Sequence, residues 1–290
     1  MDDLTGRVVV VTGGASGMGR AFADRFARAG MKIVIADVEE AALAGAVTEL
    51  KASGAAVVGV VCDVSDHKAV VDLGSSVSEA FGPPQVICLN AGVGTSGTLA
   101  KTTIADWEWV VGVNLWGIIH GLDVFLPGLR ERNEGHVVIT ASVAGHLAFP
   151  RLGPYSATKF AAVVIAETLY AELVGDGSAV GVTCLCPGFV STNVFTSERN
   201  RPEVLANRVV EPFGDGKVAD REAFLEWIRA NAVQPVEVAE MVYRAVLEGT
   251  FWVFTEEDMS AVTARHQSIR ERSNPGVTPT FSDMGPFFQS

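Results

Sequence analysis

Seven short runs of β-branched and other apolar residues recur along the chain, each separated from the next by a longer amphipathic stretch. No other feature narrows the possible folds so far. The runs occupy residues 7–11, 32–36, 56–62, 86–89, 136–140, 180–186 and 251–254. Helical periodicity covers about 18–29, 39–53, 66–81, a long region from about 104 to 131, 155–174 and 235–247. The strand-like runs are apolar throughout instead of alternating with polar residues, the pattern of strands covered by helices on both faces. Alternation of this kind predicts an α/β fold: a doubly wound parallel sheet of about seven strands with right-handed crossovers. No linker or repeat divides the 290 residues, so a single domain over 1–290 is expected.

Two departures interrupt the pattern. Residues from about 191 to 234 are irregular, with Pro202, Pro212 and a Gly-Asp-Gly at 214–216, followed by a helix-like 220–230. They follow the sixth strand, at the carboxyl edge where open α/β sheets bind ligands, so they read as a lid over substrate or as a plain surface insertion. The second departure, about 256–290, is a polar helix-like segment to about Arg272, then a tail ending in Pro286, Phe287 and Phe288. Its packing is left open.

Composition sets further limits. The net charge of −12 argues against nucleic acid as a partner, because a phosphate backbone calls for a basic face. The sequence shows no apolar stretch near the ~20 residues of a membrane span, and its acidic start runs directly into a strand. The expectation is a cytoplasmic enzyme with no membrane partner. Cys184 and Cys186, two apart on a strand, share a face, but no second Cys/His pair accompanies them. They read as buried free thiols, with no metal site.

Thr12-Gly-Gly-Ala-Ser-Gly-Met-Gly19 joins the first strand to the first helix. Gly13, Gly17 and Gly19 let the turn close and the backbone approach a pyrophosphate, while the helix N-terminus offers free N–H groups. Its place after the first strand makes the sheet Rossmann-type. Asp37 ends the second strand eighteen residues later, placed to accept hydrogen bonds from ribose hydroxyls and to repel a 2′-phosphate. Val38, Glu39 and Glu40 supply no basic partner, so NAD is expected over NADP. Asp63, ending the third strand, is placed to orient the adenine amino group, and Asn90-Ala91-Gly92 ends the fourth, where small residues allow close contact.

Tyr155 and Lys159 lie four residues apart, thirteen residues after Ser142. A lysine one helical turn from a phenol shares its face and can hold a positive charge beside the oxygen. That charge favours the phenolate and makes tyrosine usable as a general acid or base, although its ordinary pKa is about 10. A serine hydroxyl can then bond the oxygen of an alcohol or carbonyl. The reading is redox chemistry at a C–O centre.

With the turn at 12–19, Asn90-Ala-Gly92, Asn114, Ser142, Tyr155-x-x-x-Lys159 and Pro187-Gly188 with Thr192, the chain closely resembles the short-chain dehydrogenase/reductase family over about residues 5–255. The resemblance implies a catalytic tetrad of Asn114, Ser142, Tyr155 and Lys159, with Asn114 holding a water that links Lys159 to solvent. It implies cofactor contacts from Gly13, Ser16, Gly17, Met18, Gly19, Asp37, Asp63, Val64, Asn90, Ala91, Gly92, Tyr155 and Lys159. Pro187, Gly188, Val190 and Thr192 complete the set. It also implies a homodimer or homotetramer built through the long helices.

Residues expected to line the substrate space are Val143, Ala144, Phe149, Leu152, Phe189 and Phe195, with Trp227 closing from the lid. Their apolar and aromatic character suggests a hydrophobic or aromatic secondary alcohol or the matching ketone, although core packing accounts for the same residues equally well. His146 reads as a solvated loop histidine. The runners-up are an NADP-dependent carbonyl reductase and a non-catalytic dinucleotide-binding sensor.

Overall fold

A computed structural model describes residues 3–207 and 218–276 of the chain. Pro212, the Gly-Asp-Gly at 214–216 and the aromatic end of the tail lie outside these described residues. Seven parallel strands form one sheet: β1 (Val8–Thr12), β2 (Lys32–Asp37), β3 (Val57–Val61), β4 (Val86–Leu89), β5 (His136–Thr140), β6 (Gly181–Cys186) and β7 (Trp252–Phe254). Their spatial order is β3-β2-β1-β4-β5-β6-β7. The order reverses between β1 and β4, and in doubly wound sheets that is where a crevice opens beyond the carboxyl ends.

The apolar runs divide between two cores because strand side chains alternate. Val8 and Val10 of β1, Ile87 and Leu89 of β4, and Cys184 and Cys186 of β6 face one side. There they meet α3 (His67–Phe81), α5 (Gly117–Arg132) and α6 (Gly153–Gly175). Val9, Val11, Ile33, Ile35 and Leu185 face the other, against α1 (Gly17–Arg28), α2 (Glu40–Ala52) and α8 (Pro235–Glu248). The four cysteines are free and buried.

Strand ends fall within a residue or two of the sequence expectation, and α6 starts at Gly153 with a proline in its first turn, where no N–H is needed. The region expected as one long helix is α4 (Ile104–Val111) and α5 joined by a π-turn over Gly112–Trp116. This run, Ile104–Arg132, has the length and apolar composition of a membrane span, which corrects the expectation that no stretch comes near one. Within the fold, Ile118, Phe125 and Leu129 of this run pack into the core beside the sheet. After β6 come two short 3-10 segments, Asn193–Asn200 and Glu203–Leu205, and then α7 (Val218–Asn231); α9 (Ser260–Glu271) follows β7.

Candidate active site

A cavity of about 530 Å³ opens over the carboxyl edge of the sheet. Gly13, Ser16, Gly17, Met18 and Asp37 line one end; Ser142, Tyr155 and Lys159 line the other. Asp63, Val64, Asn90, Ala91, Gly92, Pro187, Gly188, Val190 and Thr192 line it between.

The glycine turn forms a cradle. Gly13 and Gly17 have φ of 64° and 54°, in the left-handed region that favours glycine. A β-carbon on Gly13 would stand 3.0 Å from Ala91 Cα. Gly19 does not reach the cavity surface. It packs under the turn, where a β-carbon would fall 2.0 Å from the Gly13 carbonyl oxygen, so its role is close packing of helix on strand. No side chain caps the first turn of α1, and an uncapped helix N-terminus suits a pyrophosphate. Asp37 Oδ2 accepts from the Ala15 N–H at 3.0 Å, and its Oδ1 from the Glu39 N–H at 3.1 Å. Asp63 Oδ1 accepts from the N–H (2.9 Å) and hydroxyl (2.7 Å) of Ser65, so it also stiffens its own turn.

Two threonines bind the two ends together: Thr12, which the sequence reading named only as the start of the glycine turn, and Thr140, which it passed over. Thr12 Oγ1 accepts from the N–H groups of Asn90 and Ala91 at 2.9 and 3.1 Å. Asn90 Nδ2 donates to the Thr12 carbonyl at 3.1 Å, and its Oδ1 accepts from the Thr140 hydroxyl at 3.3 Å. The Thr140 carbonyl in turn accepts from Lys159 Nζ at 2.8 Å. The available signal was positional: each threonine is the last residue of a strand at the carboxyl edge.

At the other end Ser142 and Lys159 are buried and Tyr155 is half-buried. Ser142 Oγ donates to the Pro187 carbonyl at 3.2 Å, accepts from the Ala144 N–H at 3.1 Å and lies in hydrogen-bonding reach of the Tyr155 phenol. Burial raises the Tyr155 pKa, and the Ser142 bond opposes it only in part. Lys159 Nζ stands 5.6 Å from the centre of the Tyr155 ring, turned to Thr140. Burial pulls its pKa down to about 8. Cys186 offers it no anion at neutral pH, because its hydrogen bond with Cys184 and its burial push that thiol upward.

Asn114 sits in the π-turn. Its Oδ1 accepts from the Val93 N–H at 2.8 Å, and its Nδ2 donates to the Val93 carbonyl at 2.9 Å and the Thr158 hydroxyl at 3.2 Å. Both amide hydrogens are therefore used, and the side chain retains only the second Oδ1 lone pair for the expected water.

Val143, Ala144, Phe149, Leu152, Phe189 and Phe195 line the cavity. Trp227 does not; it stands behind Phe189, edge-on at 6.0 Å between ring centres. His146 is half-buried, not fully solvated: it packs against Trp252 and Phe254, its Nε2 lies 3.4 Å from Cys186 Sγ, and burial lowers its pKa. The C-terminal segment supplies lining that the sequence left unassigned, with Glu256, Asp258, Met259 and Val262 on the wall. Arg265 over the Phe160 ring, at 4.9 Å, joins α9 to α6.

Residues 7–203 match the short chain dehydrogenase family. Over 288 residues the chain is 32% identical to the C alpha-dehydrogenase of a Sphingobium species, covering 98% of this chain and 90% of that protein. It is 35% identical over 252 residues to the 1-deoxy-11-beta-hydroxypentalenate dehydrogenase of Streptomyces avermitilis, covering 86% and 84%. A short chain dehydrogenase/reductase of Burkholderia phymatum, solved in complex with NAD, is 41% identical and superposes with a TM-score of 0.90, covering 95% and 98%. With this sheet order and this cavity, the chain belongs to the short-chain dehydrogenase/reductase family and is an oxidoreductase.

Proposed function

We propose that the protein is an NAD-dependent dehydrogenase interconverting a secondary alcohol, hydrophobic or aromatic in its body, and the matching ketone. The observation that carries this reading is the single cavity joining a phosphate cradle and the Asp37 carboxylate to the Ser142–Tyr155–Lys159 cluster. The Sphingobium and Streptomyces relatives, both dehydrogenases, support the reaction class, and the NAD complex from Burkholderia supports the cofactor. The residues fit a dinucleotide: Gly13, Ser16, Gly17, Met18 and Thr192 would flank its phosphates, and Asp37 would receive the ribose hydroxyls. The bound nicotinamide supplies the acceptor or donor of hydride.

This chain's own groups handle the oxygen and its proton. Ser142 rotates its hydroxyl from the Pro187 carbonyl to the substrate oxygen. Tyr155, kept protonated by burial, is ready to donate its proton to a ketone oxygen; in the oxidative direction it takes the alcohol proton, with the Lys159 ammonium stabilising the phenolate. That ammonium is lost as pH rises through about 8. The described residues 191–207, of which Asn193, Val194 and Phe195 line the cavity, act as the lid over the substrate end. Exposed Trp116, Val164 and Val174 on the long helices suit a homodimer or homotetramer, and free buried cysteines suit the reducing cytoplasm.

The test is Tyr155→Phe assayed by NADH formation across a panel of aryl and alkyl carbinols. Turnover is expected to fall about 10³-fold, within the usual range for a lost general acid or base, while NADH affinity stays within about twofold. Near-normal turnover would overturn the mechanism. The NADP-dependent alternative has one observation in its favour: a cation, Arg199, lines the adenosine end of the cavity.

A further inference from the structure

Arg199 reaches the adenosine subsite from a segment 160 residues away from its partner, Glu39. Its Nη2 donates to Glu39 Oε1 at 2.7 Å and its Nε to Oε2 at 3.3 Å. Asn200 Nδ2 adds a bond to Oε1 at 2.9 Å. The far corner of the guanidinium is held from behind, Nη1 donating to the carbonyls of Asn193 (3.1 Å) and Thr196 (2.9 Å) and to the Thr196 hydroxyl (3.2 Å). The group is thus fixed by its own segment and presents one edge, Nε and Nη2, to the turn after β2. That edge is the fork that takes a carboxylate or a phosphate in bidentate fashion.

Glu39 fills the fork, immediately beside Asp37, whose Oδ1 accepts from the Glu39 N–H at 3.1 Å. Asp37, Val38, Glu39, Arg199 and Asn200 all line the same cavity. Among the described residues on its wall, the cations are Lys159 at the catalytic end and Arg199 here. The Arg199 and Glu39 side chains are 36% and 28% exposed, so their pairing adds little to stability. Its consequence lies in what the fork is left free to bind.

We propose that Glu39 is a cofactor-specificity residue that acts by occupying Arg199. Asp37 repels a 2′-phosphate directly; Glu39 removes the one nearby group able to attract it. Taking away Glu39 leaves an anchored guanidinium edge facing the ribose position. The inference rests on the NAD reading for its direction, but the exchange of partners on Arg199 is a separate event and is measured separately.

The experiment is fluorescence titration of NADH and NADPH into wild type, Glu39→Ala, Arg199→Ala and the double variant, with circular dichroism confirming folding. Glu39→Ala is expected to shift the ratio of dissociation constants about tenfold toward NADPH, the scale of one charge-assisted hydrogen bond. Raising the salt concentration should shrink that gain, and the double variant should return to within about twofold of the wild-type ratio. An unchanged ratio in Glu39→Ala, or a gain that survives loss of Arg199, overturns the proposal. Should Glu39→Ala fold poorly, Glu39→Gln, which keeps the shape and drops the charge, is read by the same two criteria. A wild type that already prefers NADPH would overturn the NAD reading, while the difference between the single and double variants still decides the role of Glu39.

Discussion

A β-carbon on Gly19 would stand 2.0 Å from the Gly13 carbonyl oxygen and 2.8 Å from Asn90 Nδ2, so α1 cannot keep its distance from β1 with any other residue there. Gly19→Ala is expected to weaken NADH binding at least tenfold and to cost about 2 kcal/mol, the range for overpacking a tight site, read by NADH titration and the urea midpoint. The spacing of the glycines made that site legible without a structure. The state of Tyr155 was less so. Helical spacing puts Lys159 on its face, but spacing says nothing of rotamer or depth, and here burial raises the phenol pKa while the lysine turns to Thr140. Glu39 is a similar case: in sequence it is one more acid after Asp37, and its partner is 160 residues away.

The segment after β6 shows what an element owes to its fastenings. Ser197 Oγ accepts from the Gly94 N–H at 3.0 Å and donates to the Gly94 carbonyl at 3.1 Å. Arg201, only 4% exposed, pairs with Asp106 of α4 and lies over the Trp109 ring at 4.6 Å, while Asn207 donates to Asp106 at 2.8 Å. Prolines and glycines suggested a loop here, yet its first half is tied to α4 by side chains whose pairing no local pattern announces. Any lid motion has to break or carry these bonds. Asp106→Ala leaves Arg201 buried with one carboxylate, Glu198, 2.9 Å from its Nε, and the Leu205 carbonyl, which accepts from its Nη1 at 3.0 Å. The variant is expected to lose about 3 kcal/mol of stability and to become open to proteolysis near residues 193–207, checked by denaturant midpoint and limited trypsin digestion. The π-turn belongs to the same lesson: apolar periodicity gave a continuous helix, and the widened turn that turns Asn114 inward toward Val93 leaves no mark on it.

Across the whole molecule, depth of burial links protonation to stability. His136 opens β5 inside the core, 2.7 Å from the Thr183 hydroxyl, which spends its own hydrogen on the Thr250 carbonyl at 2.7 Å. The histidine is therefore the donor, in its neutral Nε2–H form. Burial lowers its pKa from 6.5 to about 3. Below pH 6.5 the unfolded chain takes up a proton that the folded chain refuses, so stability is complete above 6.5 and declines as pH falls toward 3. Urea midpoints are expected to show a loss of about 2 kcal/mol between pH 6.5 and 5 from this group, a slope that His136→Gln removes. The alternation of apolar runs and amphipathic stretches determined the parallel sheet and its two cores, because strand and helix periods are local properties of the chain. The glycine turn and the Tyr155–Lys159 spacing likewise located both ends of the cleft, since each lies within one element or one turn. The Glu39–Arg199 pair, the fastening of residues 193–207, the C-terminal wall and the charge state of the buried groups were decided only by tertiary structure. Those depend on desolvation and on side chains meeting across 95 to 160 residues, which no local pattern encodes.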